Sequence, residues 1–139
     1  MVTTALGDWD YADTIDITIG LDSWHPTRGT QITGKRNTVR RLVVAAGRLS
    51  PVPLPPVKKQ WDFGDPLGDQ LALEVPLSEI ILIARHVKMA ELHTYLSGIA
   101  LRDIRDPSTP PPKPADATGR SPQRFVVDAE HPPFLTNPF

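Results

Sequence analysis

Thr14-Ile15-Asp16-Ile17-Thr18-Ile19-Gly20-Leu21-Asp22 decides the fold. Ile15, Ile17, Ile19 and Leu21 alternate with Asp16, Thr18, Gly20 and Asp22. A strand sends successive side chains to opposite faces, so this segment has one aliphatic face and one polar face. Such a strand belongs to a sheet covered on one side. Downstream, Leu71, Leu73 and Val75 alternate and end at Pro76, and Lys88 to Leu96 reads as a third strand before Gly98. Arg124 to Glu130, with Phe125, Val127 and Ala129 alternating, reads as a last strand.

Two segments carry helical spacing. Ile32, Val39, Leu42, Val43 and Ala46 fall on one helical face, opposite Lys35, Arg36, Arg40 and Arg41. The spacing predicts a helix from about Gly29 to Ala46, with Gly47 as its C-cap, covering the sheet. Ser78 is placed to cap a second helix running to about His86, although Ile80-Ile81-Leu82-Ile83 also suits a strand. Pro51, Pro53, Pro55 and Pro56 forbid helix and central strand, so Ser50 to Val57 reads as an extended crossing. Trp61 and Phe63 read as aromatics pinning a loop to the core. The expected fold class is α+β, a mixed and largely antiparallel sheet with helices packed on one face. One domain is expected over residues 1–130, with a Pro-rich exposed linker at 106–122 inside it and an irregular tail at 131–139.

Composition narrows the function. The 139 residues are 40% hydrophobic and 22% charged, within the range of a globular domain. Lys and Arg number 15 against 16 Asp and Glu, which argues against a nucleic-acid partner. With no Cys and no His-x-x-x-His pair, no metal site is expected. No apolar run approaches the roughly 20 residues that span a bilayer. Met1 to Leu6 lacks the basic and apolar regions of a signal peptide, so a cytoplasmic protein with no membrane partner is expected.

The candidate site residues follow the first strand, in Leu21-Asp22-Ser23-Trp24-His25-Pro26-Thr27-Arg28-Gly29-Thr30. His25 sits at a strand end, where a neutral imidazole is able to act as acid or base, though a structural His is the commoner outcome. Arg28, Thr30 and Arg36 would ligate an anion at a helix start, while a solvated helix face is the plainer reading of the basic cluster. Trp24 would line the pocket or close a core edge. Gly29-Thr30-Gln31-Ile32-Thr33-Gly34-Lys35-Arg36 nearly spells a phosphate-cradling loop, but Arg36 stands where a metal-binding hydroxyl is required.

Ile19 to Thr30, Arg36-Asn37-Thr38, Trp61-Asp62-Phe63, Pro66-Leu67-Gly68, Pro76 to Ile80, Arg85-His86 and Gly119-Arg120-Ser121 resemble the second domain of saccharopine dehydrogenase-like oxidoreductases. The resemblance spans about residues 11 to 129. It implies a two-part enzyme in which an N-terminal Rossmann domain binds NAD(P). The second, α+β domain then shapes the cleft for a small amino-acid-like or anionic substrate and mediates dimer contacts. The nine glycines include no Gly-x-Gly, so the chain lacks the dinucleotide fingerprint and no cofactor-binding residue is expected in it. The resulting expectation is a substrate-binding and dimerisation domain, a fragment or truncated form inactive alone, which forms a homodimer and depends on a separate nucleotide-binding domain. The alternatives are a standalone binding or assembly module and phosphate binding by residues 29–35.

Overall fold

A computed structural model describes residues 11–130. The irregular tail expected at 131–139 and the Met1 to Leu6 segment lie outside the described residues. Among the described residues seven strands and three helices run in the order β1 (Tyr11–Leu21), α1 (Arg28–Arg36), β2 (Leu42–Ala45), β3 (Arg48–Pro51), β4 (Lys58–Asp62), β5 (Asp69–Glu74), α2 (Glu79–Ala84), β6 (Lys88–Ser97), α3 (Gly98–Arg105) and β7 (Phe125–Glu130). The fold is α+β, and every strand pair except β1–β6 is antiparallel.

β6 organises the sheet. One of its edges pairs with β1 in parallel, Ile15 opposite Leu92, Ile17 opposite Thr94 and Ile19 opposite Leu96. Its other edge is shared by two hairpins: β2–β3 attaches at Val44 opposite Leu92, and β4–β5 attaches at Ala72 to Glu74 opposite Ser97 to Tyr95. β7 closes the far side of β1, Thr18 opposite Asp128. In-register pairing puts like faces together, so the aliphatic alternation of β1 continues into Leu92 and Leu96 of β6.

That apolar face is covered by α2 and α3. Ile80 and Ile83 of α2 are buried with Ile15, Ile17, Val43, Val44 and Leu92, and Ala100 of α3 is buried with Leu21 and Leu96. The helix expected from Gly29 to Ala46 is two elements instead. α1 stops at Arg36, buries no residue and does not cover the sheet. Val43 and Val44 are adjacent and both buried because they lie on opposite faces of strand β2, each of them covered. Gly47 is not a helix cap: Ala46 (φ 49°) and Gly47 (φ 72°) form the tight two-residue turn of the β2–β3 hairpin. Trp61, expected in a loop, lies in β4, and α3 was not anticipated at all. The Pro-rich 106–122 segment carries no helix or strand and is almost wholly exposed.

Gly20 is where Phe63 lies flat on β1. A Cβ added there would sit 2.7 Å from the buried ring. Gly20→Ala should therefore destabilise the protein by about 1–3 kcal/mol through overpacking, read as a lower urea midpoint.

Candidate functional site

The junction after β1 is fixed by Thr27. Its Oγ1 accepts the Thr30 backbone N–H at 3.1 Å, which starts α1 at Arg28. α3 starts in the same way, with the Ser97 side chain accepting the Ala100 N–H. Between these helices lies a cleft of about 550 Å³, a size suited to a small molecule. Val75, Leu101 and Ile104 supply its apolar surface, and Thr30 and Gln31 add hydrogen-bonding groups.

Three cations line this cleft: Lys35 from α1, Arg41 from the approach to β2, and Arg105 from the last turn of α3. No carboxylate lines it, and none of the three makes an ion pair among the described residues. The Arg41 guanidinium donates to the Pro76 carbonyl at 2.8 Å, which fixes its position and leaves other N–H groups free. The neighbouring Asp106 is engaged elsewhere. Hydrogen bonds from the Ser108 hydroxyl (2.6 Å) and backbone N–H (2.8 Å) hold its carboxyl below the usual range. The result is a cationic rim over an apolar wall, a surface matched to a small anion with an apolar body.

The residues singled out from sequence are scattered around this cleft. Thr30 lines it. Arg28 and Arg36 lie exposed at the two ends of α1 and do not line it. Trp24 packs against the Leu21, Leu96 and Ala100 cluster, and its backbone N–H donates to Asp103 Oδ2 at 2.8 Å. His25 Nδ1 lies 3.2 Å from the Pro110 carbonyl oxygen, in a small hollow with Lys113 and Ser121, where it ties down the Pro-rich segment. Arg105 escaped the sequence reading because α3 did. The spacing of Ala100, Leu101 and Ile104 against Arg102 and Arg105 was the available signal. Gly29 to Lys35 is helical, with its amides entering helix bonds from Gln31 N–H to Thr27 O onward, so it forms no phosphate cradle. The β1–α1 junction, through Pro26, likewise offers no glycine turn for a dinucleotide pyrophosphate.

The opposite face of the sheet holds a second polar assembly. Register places Asp16 beside His93 and Thr18 beside Tyr95. His93 Nδ1 lies 2.6 Å from Glu74 Oε1, and Nε2 lies 3.1 Å from Glu91 Oε2. Burial disfavours the His93 charge, but the bonds to Glu74 and Glu91 outweigh it and raise its pKa above 6.5. The β4–β5 hairpin folds over this face. Lys59 pairs with Asp16 at 2.6 Å and rides 4.5 Å above the Trp61 ring, while Trp61 Nε1 donates to Asp128 at 3.0 Å. Burial, then the charges of Asp16 and Glu74, push the Tyr95 hydroxyl well above its ordinary pKa of 10.0. Asp16 Oδ1, Thr18 Oγ1 and Glu74 Oε2 are buried without a partner. This network joins five strands, β1, β4, β5, β6 and β7. No group of His, Asp and Glu among the described residues is arranged to hold a metal ion.

No protein-family model matches the chain, and no curated protein matches it. Among the described residues no helix is long and apolar enough to cross a membrane.

Proposed function

We propose that this chain is the substrate-binding and dimerisation domain of a saccharopine dehydrogenase-like oxidoreductase, acting in the cytoplasm. The cleft between α1 and α3 takes the anionic group of a small, amino-acid-like substrate. The observation that carries the ligand class is the set of Lys35, Arg41 and Arg105 around an apolar wall with no acid among the described residues to neutralise them. Arg offers a planar fork that suits a carboxylate, and Lys adds charge at a flexible reach. The residues present do not fit a dinucleotide, so NAD(P) in this reading is held by a separate domain.

The test is calorimetric titration of the purified chain with amino and dicarboxylic acids at low salt. At least one acid should bind, and Lys35→Ala/Arg105→Ala should weaken it about tenfold, or about 1.4 kcal/mol. Arg28→Ala, outside the cleft, should change it little. If no acid binds, or the double variant binds as tightly as the wild type, the cleft is not the site.

The absence of Gly-x-Gly favours a second reading, a standalone binding or assembly module that uses the same cleft without redox chemistry. A search for a companion polypeptide that supplies an NAD(P) site separates the two. Acid binding with no companion and no hydride transfer supports the module.

A further inference from the structure

β7 is the outer strand of the sheet: among the described residues it pairs with β1 alone. Its hydrogen-bonding direction is fixed by the Asp22 N–H, which donates to the Arg124 carbonyl at 3.2 Å. Carbonyls and amides alternate in direction along a strand. Arg124, Val126 and Asp128 therefore face β1, and the backbone groups of Phe125, Val127 and Ala129 point outward. The side chains of this outward set lie on the apolar face of the sheet, beyond the cover of α2 and α3. Phe125 is 67% exposed and Val127 37% exposed. A strand edge with free amides and an apolar stripe is a template for another strand, and proteins that keep such an edge single usually blunt it.

We propose that a second copy of this chain covers this edge, with β7 pairing antiparallel to β7 about a two-fold axis at Val127. This surface serves the dimerisation half of the reading above and does not involve the cleft. The register comes from the sequence of the strand itself. Centring on Val127 sets Val127 opposite Val127 on the axis, and Phe125 opposite Ala129 and Arg124 opposite Glu130 of the partner, these two pairs each occurring twice by symmetry. The outward-pointing residues then meet one another, as an antiparallel ladder requires. The apolar side chains form one continuous stripe across the axis, and the two ends are closed by opposite charges. Neither Arg124 nor Glu130 has an ion-pair partner among the described residues of its own chain. Shifting the centre to Asp128 would set Asp128 against Asp128, and like charges directly opposed disfavour that register.

Sedimentation equilibrium of the full chain tests this. The wild type should be dimeric at micromolar concentration. Arg124→Glu, which sets Glu against Glu130, should shift it toward monomer, and the Arg124→Glu/Glu130→Arg exchange should restore the dimer. Val127→Pro, which removes the central outward N–H, should give a folded monomer. Should the proline variant fail to fold, the charge exchange still decides. A monomeric wild type, or a dimer indifferent to Arg124→Glu, overturns the proposal. Acid titrations of the same variants keep the two readings apart. A monomer that still binds acid refutes only the interface, and a dimer that binds no acid refutes only the ligand site.

Discussion

Leu92→Ala should destabilise the protein by about 2–5 kcal/mol, a large fraction of the roughly 5–15 kcal/mol that holds a typical domain folded. Leu92 is fully buried and belongs to the cluster that includes Ile15, Val43, Val44 and Ile80. It lies opposite Ile15 on one edge of β6 and opposite Val44 on the other. The Val44 pairing is where the β2–β3 hairpin enters the ladder of β6, and the Gly47 N–H adds a bond to the Ala90 carbonyl at 2.8 Å. Truncation therefore leaves a cavity where two strands and α2 converge, and the surrounding strands have little freedom to close it. The urea midpoint should fall with an unchanged slope. Leu71→Ala is the control. Leu71 is 43% exposed on β5, and surface substitutions of this kind usually fall within about 0.5 kcal/mol of neutral. Equal losses for the two variants would mean that the cluster around Leu92 is not the stabilising core.

How far the sequence reveals this fold depends on whether a pattern is local. β1 is legible because one of its faces meets helices and the other meets polar groups, so its alternation is strict. β6 is legible for the same reason, β7 is legible from its alternation alone although no helix covers its apolar face, and the α+β class follows from them. The Gly29–Ala46 segment misleads because Val39, Leu42, Val43 and Ala46 fall at helical spacing while belonging to a loop, a strand and a turn. The competing signals were the adjacent Val43-Val44 and the following Gly47. α3 was hidden by the strand before it, since Ser97 both ends β6 and caps the helix. The cleft was half legible. Lys35 and Thr30 stand in the segment singled out, but Arg41 and Arg105 reach the cleft only through chain reversals that no local pattern encodes. The polar face was the least legible feature. Asp16 reads as one polar position in an alternating strand, and only the registers of β1, β4, β5 and β6 bring His93, Glu74 and Lys59 around it.

The second large effect lies in that polar face and depends on pH. His93 has a folded pKa raised above its unfolded value of 6.5. The contribution of its charged pairing is thus fully present below 6.5 and is lost as pH rises through the folded value. Stability to urea should therefore decline as pH rises from about 6.5 through the raised folded value, where the unfolded chain binds fewer protons than the folded one. The groups facing His93 are Glu74 from β5, Glu91 on its own strand and Asp16 from β1. Lys59 lies beyond, held to Asp16, and Tyr95 flanks the ring. Asp106 and Asp116, whose pKa values are lowered, act on the acid side of this window, and Tyr95 on the alkaline side. Hydrogen bonds to charged groups contribute about 1.5–3 kcal/mol, so Glu74→Gln should cost about that much near pH 6 and less near pH 9. His93→Gln should flatten the decline. A wild type whose stability is level across the window, or a decline that survives His93→Gln, would show that the imidazole stays neutral between its two carboxylates. The Glu74 carboxylate, with Oε2 already unpartnered, would then be a buried charge with no cation beside it.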